Sequence, residues 1–354
     1  MSLGAVASLP GRTIAPAIAT ALAVVVVVVV GAAGSQPAHA APPMKGVALG
    51  LYHHEADERG FSFSTMLGEI KELGADYVSL VVSWKQHDTR SSTIASDKWA
   101  TVPDNRLRAV IREARRRGLE VFLFPIIDLD IRRPLEWRGA LAPKDIDLWW
   151  RHYERFVIHY ARIAADEGVA LFSIGSELCS TESWRDRWLH LIEAVERVYS
   201  GTLLYSANWD HYEQVSFWER LDYLGVTAYN EITRDRDAAE SQLATAWTEA
   251  RSRLAAFAST IGKRIVITEV GYTSRDGTAL HPWDYSGRGA LDTEEQRRCY
   301  GAFVSVWKEE PSLFGVYFWN WFGAGGARDT TYTPKGKPAE TVLRAWYGAA
   351  YASP

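Results

Sequence analysis

Residues 166–180 read DEGVALFSIGSELCS. Two acidic residues close an amphipathic stretch, Gly168 follows as a helix C-cap, and the apolar run Ala170–Ser176 leads to Glu177. A carboxylate at the end of a buried strand costs desolvation unless it is paired or used. The same order of helix, glycine, short apolar strand and polar end recurs along the chain. Strand-like runs fall at Gly46–His53, Tyr77–Ser83, Glu120–Ile127, Ala170–Ser176, Thr202–Ala207, Tyr223–Ala228, Arg264–Thr268 and Phe314–Trp319. Helical patterns lie between them, among them Asp104–Arg117, Ile146–Asp166, Trp184–Tyr199, Ala239–Ile261 and Thr293–Glu309. Gly74, Gly118, Gly168, Gly201 and Gly262 follow such stretches as C-caps. Near-continuous apolar strands separated by helices predict a parallel sheet covered on both faces. Eight such units predict a single-domain α/β fold, a (β/α)8 TIM barrel. An open doubly wound sheet is the alternative, but no Gly-x-Gly-x-x-Gly follows the first strand. No linker, charge block or low-complexity segment interrupts residues 46–348.

The first forty residues read differently. Arg12 is their only lysine or arginine, Val24–Val30 are seven consecutive valines, and Ala38-His39-Ala40 is a small-x-small cleavage pattern. This predicts a signal peptide over 1–40, with the barrel domain over 41–354. An uncleaved anchor is the alternative, because Ile14–Gly34 approaches the length of a membrane span. Either reading places the barrel outside the cytoplasm, secreted or periplasmic, with no stable membrane contact once the leader is removed. Net charge is −4, or −5 without Arg12, and no basic stripe is present, which argues against a nucleic-acid partner. Two cysteines, Cys179 and Cys299, are too few for a disulfide framework and read as separate inert thiols. Fifteen Trp and sixteen Tyr stand out, many of them beside strand ends, where rings can stack on a ligand.

In a parallel barrel the C-terminal strand ends carry the chemistry. There the chain offers His53 and His54, Trp84 and Lys85, Asp128 and Asp130, Glu177, Asn208-Trp209-Asp210, Tyr229 and Asn230, Glu269, and Trp319-Asn320-Trp321. Glu177 and Glu269 carry the strongest signal, since both follow apolar strands at the same face. Two carboxylates across a cleft suit glycosidic cleavage: one gives a proton to the leaving oxygen, the other attacks the anomeric carbon or activates water. Aromatic planes suit the apolar faces of sugar rings, and asparagine and tyrosine suit hydroxyls. A metal reading is poorer. His53 and His54 are adjacent and point opposite ways in a strand, and Asp128 and Asp130 lack a third ligand. No metal or cofactor is called for. Ser-His-Asp chemistry lacks its Gly-x-Ser-x-Gly elbow, and Cys179 has no base and reads as packing. The bland alternative for the glutamates is a salt bridge to Arg264 or Lys85.

Six stretches, WRGAL at 137–141, LFSIGSEL at 171–178, YSANWD at 205–210, LGVTAY at 224–229, ITEVGY at 267–272 and PKGKPAE at 334–340, together resemble glycoside hydrolase family 113, the β-1,4-mannanase family of the retaining (β/α)8 clan. The resemblance implies that Glu177 is the general acid/base and Glu269 the nucleophile, with Tyr229 holding the nucleophile's carboxylate. It implies that Trp319 is the platform under the sugar at the cleavage point and that Asn208 and Trp209 line the cleft. Trp84 and Asp128 stand at matching strand ends as further substrate contacts. Ser176 departs from the wider clan, where an asparagine precedes the acid/base and touches the sugar 2-hydroxyl. The implied function is a secreted retaining enzyme cleaving mannan or manno-oligosaccharides, with a polysaccharide or oligosaccharide as its partner. Another β-glycanase, a transglycosylase, a silent glycan-binding barrel or an assembly component are the alternatives.

Overall fold

A computed structural model describes residues 43–51, 62–133, 136–287 and 289–348. The leader and His53–His54 lie outside the described residues. Eight strands, β1 (Met44–Gly50), β2 (Tyr77–Gln86), β3 (Glu120–Leu129), β4 (Leu171–Ser176), β5 (Thr202–Asn208), β6 (Tyr223–Thr227), β7 (Ile265–Val270) and β8 (Leu313–Phe318), pair in chain order into a closed barrel. Every neighbouring pair is parallel, and β8 returns to β1. Among the described residues seven α-helices accompany them: α1 (Phe63–Glu72), α2 (Asp104–Arg116), α3 (Ile146–Glu167), α4 (Arg185–Glu196), α5 (Glu240–Thr260), α6 (Thr293–Trp307) and α7 (Pro338–Gly348). Among the described residues, the β5–β6 crossover holds no α-helix, only two 3₁₀ turns, Tyr212–Gln214 and Trp218–Arg220.

Side-chain alternation sorts each strand into two cores. Val78, Leu80, Val82 and Trp84 of β2 join the large core between sheet and helices, while Val81 joins Phe122, Phe124, Ile126, Leu204, Val266 and Tyr317 inside the barrel. The strands are therefore buried on both faces, which explains the near-continuous apolar runs in the sequence. Gly74, Gly118, Gly168 and Gly262 take the left-handed φ that a C-cap uses. Gly201 does not. Helix α4 ends at Glu196, and Gly201 serves packing instead, since a Cβ there would fall 2.3 Å from the Tyr199 hydroxyl.

The seam between the first and last strands is closed by α7. Buried Lys45 donates to the carbonyls of Trp346 and Tyr347 at 3.3 and 3.2 Å, and the Tyr347 hydroxyl donates to the Gly46 carbonyl at 2.8 Å. Among the described residues no helix is long and apolar enough to cross a membrane.

Candidate active site

Both glutamates stand where the strand register breaks. Between β4 and β5 the pairing shifts from Ser173 to Ser176, and Glu177 follows with φ 54, the only described non-glycine residue with positive φ. The carbonyls freed by this break are satisfied locally. The Tyr153 hydroxyl of α3 donates to Ile174 O at 2.7 Å, and the Ser173 hydroxyl donates to Gly175 O at 2.8 Å. The Glu177 N–H then rejoins the ladder on Ser206 O at 2.8 Å. On β7 the register shifts against both neighbours, bringing Glu269 opposite Thr227. Strict alternation would turn Glu269 away from the face of Thr268, whose hydroxyl meets Ser206 inside the barrel. The irregularity re-aims it into the mouth, as bulges do.

Once there, the two carboxylates are buried and differently held. The Thr227 hydroxyl donates to Glu177 Oε1 at 2.6 Å, so the residue paired with Glu269 in the sheet also touches Glu177. Arg138 donates to Glu177 Oε2 through Nε at 3.1 Å, with Nη2 at 3.0 Å. Glu269 Oε2 accepts from the Tyr229 hydroxyl at 2.8 Å. Burial and the Glu177 carboxylate push Glu269 up to about 8, against the pull of Arg138 and the Tyr229 hydrogen bond. Burial beside a second carboxylate therefore favours the protonated form of Glu269. Acid-assisted cleavage needs one group with a proton to give and one without.

The family's sequence profile, that of Glycoside Hydrolase Family 113, matches residues 54–337. The chain is a member of glycoside hydrolase family 113. It is therefore a glycoside hydrolase acting on a carbohydrate. Among solved structures it resembles the family 113 β-mannanase AaManA from Alicyclobacillus acidocaldarius in complex with ManMIm, at 26% identity and TM-score 0.75, covering 87% of this chain and 96% of that one. A second family 113 β-1,4-mannanase matches at 25% identity and TM-score 0.77, covering 86% and 99% of the two chains. A family 113 β-1,4-mannanase complex aligns with TM-score 0.77 at 24% identity, over 87% and 99% of the chains. No curated protein sequence matches.

In this family 113 chain the mouth gathers most of the expected residues. Asn208 ends β5 beside Thr227, 3.5 Å from its hydroxyl, and donates to Asp210 at 2.6 Å. Asp128 faces Lys85 at 2.6 Å and pairs with Arg132. Burial resists its charge, but the two cations outweigh that and hold the carboxyl below the usual range. Trp319 follows β8 and packs on the inner core. Trp84 is not brought to the site. Its ring packs on Phe156, His159 and Tyr160 of α3 and borders a cavity of about 690 Å³ outside the barrel. Lys85, one residue on, has the inward face instead. Trp209 likewise turns outward, bordering a cavity of about 260 Å³ with Tyr212, Trp247 and Trp307 under the helix-free crossover.

Neither cation named in the bland alternative reaches the glutamates. Arg264 lies over the Phe314 ring and donates to Leu313 O, and Lys85 serves Asp128 and Asp130. The cation beside Glu177 is Arg138, which sequence reasoning quoted within WRGAL but gave no role. Its motif has a physical reason: the Trp137 ring folds over Gly139, where a Cβ would fall 2.3 Å from a ring carbon. Sequence reasoning also passed over Thr227 and the exposed pair Trp283 and Tyr285, which are 51% and 64% accessible. Arg132 donates to the Tyr285 hydroxyl at 2.6 Å, tying this aromatic rim to Asp128. Ser176 is buried with its hydroxyl unpartnered, inside the strand end and not on the rim.

Proposed function

We propose that this glycoside hydrolase is a secreted β-mannanase that cleaves β-1,4-mannosidic bonds with retention of anomeric configuration. The observation that carries the reading is the buried pair Glu177 and Glu269, joined through Thr227 and held by unlike partners. The mannan specificity rests on the family's named mannanases, and secretion on the leader pattern. In the first step Glu269 attacks the anomeric carbon, the glycosidic C–O bond breaks, and Glu177 gives its proton to the leaving oxygen. In the second, Glu177 takes a proton from water, the hydroxide attacks the same carbon, and Glu269 leaves.

Burial and the neighbouring Glu177 carboxylate favour neutral Glu269 in the free site, so a sugar chain seated there must first favour its ionised form before attack. Trp319, Asn208 and the Asp128–Lys85 pair supply the ring face and hydroxyl contacts around it.

Purified protein is to be tried on mannan, glucomannan, xylan and cellulose, with the product anomer read by proton NMR. Release of the β-anomer first from mannan is expected. Activity confined to xylan or cellulose would make it another β-glycanase, and an α-anomer would mean inversion. Glu177→Ala and Glu269→Ala should each lower kcat by about 10²-fold or more while the protein still folds. A variant retaining most of its activity would remove that residue from its role.

A further inference from the structure

Among the described residues, Cys179, Glu182 and His211 gather a thiol, a carboxylate and an imidazole, with their donor atoms all within 4.8 Å of one another. We propose that these three residues form a divalent transition-metal site of the type that suits zinc, set behind the turn that follows Glu177. Cys179 opens the 3₁₀ turn Cys179–Thr181, and Glu182 follows it. Residues three apart eclipse on such a turn, so the two donors share a face. His211 reaches them from the crossover after β5, with Nδ1 against Glu182 Oε2.

Glu182 supports the assignment independently. It is fully buried, at 0% exposure, and its Oε1 is held by the Tyr205 hydroxyl at 2.6 Å. Tyr205 is in turn fixed by the Leu178 N–H at 2.8 Å. A ligand carboxylate oriented by an outer hydrogen bond is the usual support of a built metal site. Thiolate and imidazole donors favour zinc over magnesium or calcium, which take oxygen. Three protein ligands leave a fourth position for water, and the partly exposed Cys179 and His211 give the ion a way in. Binding exchanges the Cys179 S–H bond for a sulfur–metal bond and releases that proton to solvent. Cys299 takes no part, being buried on α6.

The alternative is a plain His211–Glu182 ion pair with a bystander thiol. Cobalt(II) separates the two. The full-length protein, stripped with a chelator and dialysed, is titrated with cobalt and followed in the near-ultraviolet and visible. A thiolate-to-cobalt charge-transfer band saturating at about one equivalent is expected, with zinc displacing it and raising Tm. Cys179→Ser should abolish the band, and Tyr205→Phe should weaken cobalt binding by about 10- to 100-fold. His211→Ala should weaken it further; if that variant misfolds, the partly exposed Cys179→Ser still decides. No charge-transfer band at saturating cobalt, or a band that survives Cys179→Ser, overturns the site. None of these readings requires turnover, so failure here leaves the proposed hydrolysis untouched, and the reverse.

Discussion

Arg138 reaches Glu177 from thirty-nine positions earlier in the chain, on the loop after β3. Its charge also reaches Glu269, where it favours the ionised form against burial. Removing it raises the Glu269 pKa further, since a nearby cation stabilises the charged form. In Arg138→Gln the limb of the pH–rate profile that Glu269 sets should therefore move to higher pH. A profile that keeps its limbs while kcat falls would leave Arg138 with a substrate-holding role only. Such a contact is not legible from sequence, because nothing periodic links a loop arginine to a strand end dozens of residues away. Glu177 and Glu269 were legible, because each ends an apolar run where a charge has no bland reason to be. Tyr229 was assigned by resemblance, and its 2.8 Å hydrogen bond to Glu269 gives that assignment a geometry.

Within the strands, alternation separates the expectations that hold from those that do not. On β2 the residues facing the helices run Val78, Leu80, Val82, Trp84, so Trp84 follows its strand into the outer layer. Trp209 shares the parity of Leu203, Tyr205 and Ala207 and turns outward with them. Asn208, four on from Leu204 and two on from Ser206, and Trp319, two on from Tyr317, keep the inner parity. The same counting applied to the sequence sorts these four correctly. It fails at Glu269, where the register break decides, and no local signal marks that break. Trp84→Ala should cost about 3–5 kcal/mol as a lower Tm or urea midpoint, with KM unchanged. A raised KM at unaltered stability would return Trp84 to the cleft. On β6, Gly225 admits the neighbouring strand: a Cβ there would lie 2.3 Å from the Tyr205 backbone oxygen. Gly225→Ala should destabilise by about 1–3 kcal/mol, because backbone cannot step aside. Urea unfolding measures it, and a neutral result would mean the β5–β6 pair is looser than its geometry.

For the molecule as a whole, the site subtracts from stability. A group whose folded pKa lies above its ordinary value contributes stability that is fully present below that ordinary value and is lost as pH rises through the folded one. Glu269 has an ordinary value of 4.5 and is pushed up to about 8, so its loss falls across that window. Glu269→Gln cannot ionise and escapes it. Its Tm should match that of the unaltered protein near pH 4 and exceed it by a few degrees at pH 8. Equal Tm at both pH values would mean that ionised Glu269 is no burden to the fold. The eight-strand architecture itself was legible because the strands are buried on both faces and read as near-continuous apolar runs. The helix-free crossover was not, since residues 209–222 supply aromatic and charged residues that a short helix would also accept.

The seam at Lys45 and Tyr347 joins residues 301 positions apart, and β1 finds its second neighbour only in β8. At a synthesis rate of about 5–20 residues per second, the first strand waits on the order of 15–60 seconds for the last to be made. Through that interval the growing chain is an open sheet with a bare leading edge. The eleven-residue helix α7 is thus also a timing element, setting when the barrel stops being something a chaperone must hold.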